Sequence, residues 1–106
     1  MNIKLDEFKR NIKNKKVAVI GIGISNTPLI KYLAALGVDI TAFDMSEREE
    51  ISLKLESLKD LDIKFSLGRD YLKSLKGFDV IFRTPKLRYD IPELLEERKR
   101  GALVTS

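Results

Sequence analysis

The stretch VAVIGIG, residues 17–23, constrains the fold of this chain more than any other. Its first four residues form an apolar run that is too short for a helix and rich in β-branched side chains, which predicts a buried strand. A helical pattern over residues 27–36 follows the two glycines, and a second strand over residues 38–43 leads to Asp44. Strand, glycine turn, helix, strand and acidic residue, in this order, are typical of the βαβ unit that binds nucleotide phosphates at a helix N-terminus.

The spacing within this unit suits a bound diphosphate. Gly21 permits a sharp exit from the strand, and Gly23 lets the backbone approach a diphosphate without a Cβ in the way. Asp44 comes 21 residues after Gly23, where a carboxylate would meet a ribose or the edge of a base. The third glycine of the GxGxxG pattern is replaced by Asn26, so we expect the helix to lie slightly further from the strand. The alternative, that the glycines form only a tight turn, stays open.

The composition limits the location and the partners of the chain. A length of 106 residues with 43% apolar and 34% charged residues is ordinary for one soluble globular domain. No apolar run is long enough for a membrane span, and the N-terminus lacks the apolar segment of a signal peptide. We therefore expect no membrane partner, and the absence of cysteine leaves the redox compartment open.

The chain contains no cysteine and no histidine. This excludes disulfides, thiolate chemistry, an imidazole base and a transition-metal site. A magnesium site with oxygen ligands stays possible, but no cluster of carboxylates in the sequence indicates one. The net charge of +4 arises from basic residues scattered among acidic ones, as in the sequence EERKR at residues 96–100, so we expect no nucleic-acid partner.

The rest of the chain alternates between predicted strands and helices. An amphipathic helix over residues 3–13 is expected before the first strand. The predicted strands are 17–20, 38–43, 63–67, 79–82 and 102–105. Because helical patterns separate them, they imply a mostly parallel, doubly wound α/β sheet of about five strands, in three α/β/α layers, with the strand order 3-2-1-4-5.

Two of the predicted helices have cap patterns at their N-termini. Ser46 and Glu49 fit the S-x-x-E capping box, and Asp90 with Glu93 fits a D-x-x-E pattern around Pro92. A short helix is expected over residues 70–76. The residues expected to face the core from these helices are Ile51, Leu55, Leu58, Leu72, Leu75, Leu94 and Leu95.

Ligands of doubly wound sheets bind outside the carboxyl ends of the strands, where the strand order reverses. In the predicted order this point lies between the first and fourth strands. Three loops converge there, at residues 21–27, 44–46 and 84–87. Their convergence predicts the ligand site.

Two stretches of the sequence resemble the N-terminal domain of the Mur ligases, in particular the MurD type that adds D-glutamate. They are VAVIGIGISNTPLIKYLAALG and VIFRTPKLRYDIPELLEERKRGALVTS, and together they cover nearly half of the chain. The second is the more specific, because a strand followed by a Thr-Pro loop and a proline-capped helix is unusual in NAD-binding domains. The resemblance implies a Rossmann-like domain that holds the UDP part of UDP-MurNAc-L-alanine rather than a dinucleotide.

The resemblance also implies which residues contact the ligand. Ile24 and Ser25 match a hydrophobic and hydroxyl pair that touches the uracil and the diphosphate, and Asp44 matches an acid that faces the uracil. Residues 84–87 match an S-P-G-I loop whose backbone reaches the diphosphate and whose last residue flanks the base. The implied substrate-binding residues are Gly21, Gly23, Ile24, Ser25, Asn26, Asp44, Met45, Ser46, Thr84, Pro85, Lys86 and Leu87.

The sequence departs from the family pattern at two of these positions. Lys86 replaces a glycine, so either the loop differs in conformation or the site accepts a side chain that adds charge toward the phosphates. Ser46 stands where some members have arginine. Plainer interpretations also stay open: Asp44 as a turn cap, Ser25 as a helix cap, Lys86 as a solvated residue, and Ile24 and Leu87 as core residues.

Family members activate a substrate carboxylate with ATP and Mg²⁺ to form an acyl phosphate during peptidoglycan synthesis. No G-x-x-x-x-G-K-[ST] motif for ATP occurs in this chain. The resemblance therefore implies a cytoplasmic protein with a single substrate-binding domain over residues 1–106, which has no catalytic residues or metal site of its own. The ATP-binding central domain and the C-terminal domain are expected elsewhere in a longer ligase, as its partners in cis.

Two other functions compete with this one. In an NAD(P)-binding domain of a dehydrogenase or regulatory protein, Asp44 would accept hydrogen bonds from the adenosine ribose. In an interaction domain that keeps the fold without a ligand, substitution of Asp44 or Gly23 would leave every binding event unchanged.

Overall fold

The structure is a computed structural model that describes residues 11–22, 26–84, 87–88 and 90–105. Its elements, in chain order, are β1 (Lys16–Ile20), α1 (Asn26–Ala35), β2 (Asp39–Asp44), α2 (Ser52–Glu56), β3 (Lys64–Leu67), a 3-10 turn (Tyr71–Ser74), β4 (Val80–Phe82), α3 (Pro92–Lys99) and β5 (Leu103–Thr105). The predicted helix over residues 3–13 lies mostly outside the described residues. Its end is helical at residues 11 and 12, and the Ile12 side chain is buried.

The five strands form one sheet in the order β3-β2-β1-β4-β5, and every pair of neighbours is parallel. The predicted fold class and strand order are therefore confirmed. In register, Val17 of β1 lies beside Ile40 of β2 and Val80 of β4. The central strand β1 thus has a neighbour on both sides, and the strand order reverses there.

Apolar residues cover both faces of the sheet because alternate side chains of a strand point in opposite directions. Val17 and Val19 join a hydrophobic cluster with α1 and α2, whereas Ala18 and Ile20 join a second cluster on the opposite face. The first cluster contains, among others, Ile30, Leu33, Ile40, Leu55 and Leu58. The second contains Phe43, Leu75, Phe78, Ile81 and Leu94. The sheet is therefore the middle of three layers.

The predicted capping box of α2 is wrong. The helix begins at Ser52 after a series of turns, and no side chain caps it. The Ser46 N–H instead donates to the Asp44 carboxylate at 2.8 Å, and the Glu47 N–H donates to the Glu50 carboxylate at 2.9 Å. The Ser46 backbone is held by the preceding strand, so it is not available to start a helix.

The cap predicted for α3 is also wrong. Ile91 occupies the N-cap position without a side-chain hydrogen bond, and Pro92 begins the helix. The Asp90 carboxylate accepts two hydrogen bonds from the Arg88 guanidinium, at 3.0 and 3.1 Å. A guanidinium presents two parallel donors, so the carboxylate pairs with it instead of with the helix. Leu94 is buried in the core as predicted, but Leu95 is 40% exposed.

Within the ranges that the structure describes, no helix is both long and apolar enough to cross a membrane.

The short helix predicted over residues 70–76 is a single 3-10 turn, Tyr71–Ser74. Its neighbour Leu75 is buried and Leu72 packs partly against the second cluster. These contacts place the turn on the face of the sheet opposite α1.

Candidate functional site

The carboxyl ends of β1, β2 and β4 lie side by side because these strands are parallel neighbours. The loops that follow them therefore meet at one edge of the sheet, as predicted. Of the twelve predicted site residues, the structure describes Gly21, Asn26, Asp44, Met45, Ser46, Thr84 and Leu87. Gly23, Ile24, Ser25, Pro85 and Lys86 lie outside the described residues.

Gly21 joins the end of β1 to both neighbouring strands. Its N–H donates to the Phe43 carbonyl of β2 at 2.6 Å. Its φ of +98° lies in a region that side-chain-bearing residues rarely adopt. A Cβ at this position would lie 3.4 Å from the Thr84 Cβ that follows β4. The loop after β1 and the loop after β4 thus approach each other at Gly21.

Asp44 links the loop after β1 to the loop after β2. Its Oδ2 atom accepts a hydrogen bond from the Ile22 N–H at 2.8 Å, and its Oδ1 atom accepts one from the Ser46 N–H at 2.8 Å. Both carboxylate oxygens therefore hold backbone in place, while each keeps a second lone pair for a further donor. The Met45 side chain between these contacts is 70% exposed and lies at the open edge of the site.

The turn after β3 supports the same corner. The Gly68 N–H lies 2.9 Å from the Asp44 carbonyl and 3.0 Å from the Ser46 carbonyl, and donates to both. The Asp44 loop is thus held by β1 on one side and by the β3 turn on the other. A site residue held from both sides keeps its position when a ligand arrives, which reduces the ordering cost of binding.

Asn26, in the place of the third glycine of the motif, connects the start of α1 to the end of β1. Its Nδ2 atom donates to the Ile20 carbonyl at 3.1 Å and to the Gly21 carbonyl at 2.9 Å. These two bonds satisfy carbonyls at the point where the strand ladder stops. The departure from the glycine pattern therefore supplies a side-chain link between strand and helix.

Arg83 is a residue of this region that the sequence reasoning missed. Its Nη1 atom donates to the Leu87 carbonyl at 3.2 Å and lies 3.5 Å from the Thr84 carbonyl. The Leu87 N–H also donates to the Thr84 carbonyl at 3.0 Å. The guanidinium thus spans the loop after β4 and places a fixed positive charge beside it. In the sequence, the position of Arg83 directly before the Thr-Pro dipeptide is the feature that could have indicated its place in this loop.

Tyr71 is a second residue of this region that the sequence analysis did not include in the site. Burial raises the pKa of its phenol, and the negative charges of Asp44 and then Glu93 raise it further. The phenol is therefore protonated, and able to donate a hydrogen bond, at neutral pH.

In the described part of the chain, no group of three or more carboxylates or other metal-binding side chains could hold a metal ion.

The sequence pattern that defines the MurD-like N-terminal domain of the Mur ligases matches residues 15–106. The chain belongs to this family. Every loop described above lies within the matched range, so the family assignment covers the whole candidate site. The competing assignment to an NAD(P)-binding family is not favoured.

Curated relatives of this MurD-like domain match it along its whole length. UDP-N-acetylmuramoylalanine--D-glutamate ligase from Acetivibrio thermocellus is 60% identical over 106 residues, which cover 100% of this chain and 23% of that protein. The protein of the same name from Ruminiclostridium cellulolyticum is 58% identical with the same coverage, and that from Clostridium botulinum strain Hall is 49% identical over 107 residues. The chain spans about a quarter of the length of these relatives (23%).

Solved structures that are similar to the MurD-like domain share its fold. A D-isomer specific 2-hydroxyacid dehydrogenase from Lactobacillus delbrueckii ssp. bulgaricus, complexed with NAD, has a TM-score of 0.59 and 20% identity over 88% of this chain and 26% of that one. A tRNA (uracil-54, C5)-methyltransferase from Pyrococcus abyssi has a TM-score of 0.57 and 23% identity over 92% of this chain and 25% of that one. Such low identities show the Rossmann-like architecture alone.

Proposed function

We propose that this domain binds the uridine diphosphate part of UDP-MurNAc-L-alanine, as the N-terminal domain of an ATP-dependent ligase that adds D-glutamate to this substrate in peptidoglycan synthesis. The observation that carries the proposal is the match of the whole chain to UDP-N-acetylmuramoylalanine--D-glutamate ligases at up to 60% identity. The convergence of the loops after β1, β2 and β4 supports it, because ligands of doubly wound sheets bind at this edge.

In the proposed complex, the diphosphate lies at the N-terminus of α1 and beside the loop after β4. The helix dipole and the first N–H groups of α1 attract an anion, and the Asn26 side chain holds this end of the helix against β1. Arg83 adds a positive charge on the opposite side of the site. Gly23, Ser25, Pro85 and Lys86 complete the proposed diphosphate contacts.

The uridine lies in the proposed complex beside Asp44. The free lone pairs of the carboxylate accept hydrogen bonds from the nucleoside, while its two bonds to backbone N–H groups keep it oriented. Ile24 and Leu87 flank the base, and the exposed Met45 with Ser46 forms the outer edge. In this arrangement the domain orients the substrate and carries out no chemical step itself.

The remaining parts of the reaction are assigned to the rest of the ligase. We propose that residues 1–106 form one substrate-binding domain and that an ATP-binding central domain and a C-terminal domain act with it in cis. Those domains would supply ATP, Mg²⁺ and the D-glutamate site. The proposed setting is the cytoplasm, with no nucleic-acid or membrane partner.

The competing proposal is an NAD(P)-binding domain. A dinucleotide enzyme uses the acidic residue after β2 for the adenosine ribose, a contact that the free lone pairs of Asp44 would also allow, so it is the match to the ligase family that favours the uridine nucleotide. The 2-hydroxyacid dehydrogenase structure that shares this fold is 20% identical to the chain, and this similarity concerns the architecture only.

Titration of the isotope-labelled chain, followed by amide chemical shifts, tests the proposal. UDP-MurNAc-L-alanine and NADH are added in parallel samples. We expect UDP-MurNAc-L-alanine alone to shift the amides of residues 21–27, 44–46 and 84–87. The same shifts with NADH alone would transfer the domain to the dehydrogenase class, and silence with both ligands would contradict binding by this chain.

A further inference from the structure

The backbone of Tyr71 is fixed to the corner of the site that holds Asp44. The Tyr71 N–H donates to the Gly68 carbonyl at 3.1 Å, and the Gly68 N–H in turn donates to the Asp44 carbonyl at 2.9 Å. The Ser66 hydroxyl donates to the Tyr71 carbonyl at 2.8 Å. Three hydrogen bonds therefore connect the start of the 3-10 turn to the ends of β2 and β3.

The ring of Tyr71 lies on the face of the sheet opposite α1, against the second hydrophobic cluster. It is half-buried and packs against the second hydrophobic cluster, which includes Phe43 and Leu94. Its phenol lies within electrostatic range of the carboxylates of Asp44, at the end of β2, and Glu93, in the first turn of α3. The phenol therefore lies near the end of β2, where Asp44 belongs to the candidate site.

The hydroxyl of Tyr71 lacks a hydrogen-bond partner among the residues that the structure describes. The ring is held by packing, so the hydroxyl group adds nothing evident to the fold. It is nevertheless a donor at neutral pH, because its surroundings disfavour the phenolate. A held, protonated and unpaired donor at the edge of a ligand site is suited to an acceptor on the ligand.

We infer that the Tyr71 hydroxyl is a further ligand-binding group, which donates a hydrogen bond to an oxygen at the nucleoside end of the substrate beside Asp44. The oxygen is either a carbonyl of the base or a hydroxyl of the ribose. This inference rests on the proposed function, since it requires a uridine nucleotide at this edge. It adds to the site a residue that packs on the second face of the sheet and that the sequence did not indicate.

Isothermal titration of the chain with UDP tests the inference, with Tyr71→Phe as the variant and Tyr32→Phe as the control. Tyr32 is partly exposed on α1, so its substitution also removes one phenol hydroxyl. We expect Tyr71→Phe to weaken UDP binding about five- to tenfold, the value of one neutral hydrogen bond. The Tyr32→Phe variant should bind UDP as the unchanged chain does, and neither variant should melt at a lower temperature.

Two further ligands test which end of UDP the Tyr71 hydroxyl contacts and which oxygen accepts its hydrogen bond. Binding of inorganic pyrophosphate should be unaffected by Tyr71→Phe, because the hydroxyl contacts the nucleoside. If the acceptor is the ribose 2′-hydroxyl, 2′-deoxy-UDP will bind the variant and the unchanged chain equally. If it is a base carbonyl or the ribose 3′-hydroxyl, the loss will persist with that ligand.

Three results would overturn the inference. Equal UDP affinity of Tyr71→Phe and the unchanged chain would remove the role of the hydroxyl. A loss that is as large for pyrophosphate, or that accompanies a lower melting temperature, would assign the effect to a distorted loop or fold. Absence of UDP binding by the unchanged chain would contradict the proposed function itself, and the inference with it.

Discussion

The carboxylate of Asp44 accepts a hydrogen bond from the Ile22 N–H, 22 residues earlier in the chain, at 2.8 Å. This bond connects the glycine turn after β1 to the end of β2, and the second oxygen binds the Ser46 N–H. One side chain therefore sets the relative position of two loops of the candidate site. Its proposed ligand contact and its structural contacts involve the same carboxylate.

Asp44→Asn should lower both stability and UDP affinity. The amide keeps one acceptor oxygen, so one of the two backbone N–H groups loses its partner and faces an NH₂ group instead. We expect a loss of about 1–3 kcal/mol in the free energy of unfolding, measured by urea denaturation. Asp62→Asn is the control, since Asp62 is exposed in the loop before β3. Equal stability of the two variants would contradict the linking role of Asp44.

Gly21→Ala should destabilise the fold and weaken UDP binding. The φ of +98° strains any residue with a Cβ, and the new methyl group would lie 3.4 Å from Thr84. We expect a loss of about 1–3 kcal/mol in the free energy of unfolding. Gly37→Ala is the matched control, because its φ is +78° and nothing lies within 4 Å of the added Cβ. If Gly37→Ala reduced UDP binding as strongly, the loop contact at Gly21 would not be the cause.

Asn26→Ala should separate the start of α1 from the end of β1. The substitution removes the donors to the Ile20 and Gly21 carbonyls, and we expect a loss of about 1–2 kcal/mol of stability. The UDP affinity should fall as well, because the N-terminus of α1 is part of the proposed diphosphate site. Asn14→Ala, at an exposed turn, supplies the baseline for both measurements.

Glu97→Ala should affect stability without affecting the ligand. The Glu97 side chain is 2% exposed, and its carboxylate accepts hydrogen bonds from the Gly77 N–H and the Arg100 guanidinium, each at 2.9 Å. Its loss leaves the Gly77 N–H without an acceptor, so about 2–4 kcal/mol should disappear in chemical denaturation. The exposed Glu96 is the control. An altered UDP affinity at unchanged stability would be the opposite of this expectation.

The raised pKa of Tyr71 predicts a pH dependence of stability in the alkaline range. The folded state keeps its phenol proton to higher pH than the unfolded state does, so the unfolded state binds fewer protons above pH ~10. This contribution to the free energy of unfolding is complete below that pH and is lost as the pH rises through the folded-state pKa. Urea denaturation at a series of pH values between about 9 and 11, around the ordinary tyrosine pKa, measures this effect. The free energy of unfolding should fall less steeply with rising pH for Tyr71→Phe than for Tyr32→Phe.

Much of the fold followed from local patterns in the sequence. The five apolar runs and the breaks between them predicted the strands and their order, because short β-branched runs favour buried strands and helical crossovers favour parallel pairing. The two sheet faces were also implied, since Val17, Ala18, Val19 and Ile20 are all apolar and must be covered on both sides.

The caps could not be obtained in the same way. The sequence offered Ser46 and Asp90 as helix caps, but the Ser46 backbone N–H donates to the Asp44 carboxylate, and the Asp90 carboxylate accepts from the Arg88 guanidinium. A capping pattern states only that a side chain is able to accept a backbone N–H. Whether it accepts that N–H depends on which other groups the tertiary structure places beside it.

By itself, the sequence determined the parallel α/β fold, the edge at which the loops meet and the resemblance to the Mur ligase family, because these depend on periodicity and on motifs of adjacent residues. Only the tertiary structure decided the contacts that join distant residues: Asp44 with Ile22, Asn26 with the end of β1, Arg83 with Leu87, and Tyr71 with the Asp44 corner. The physical reason is that a hydrogen bond requires two atoms within about 3 Å, and for residues far apart in the chain the packing of the sheet sets that distance.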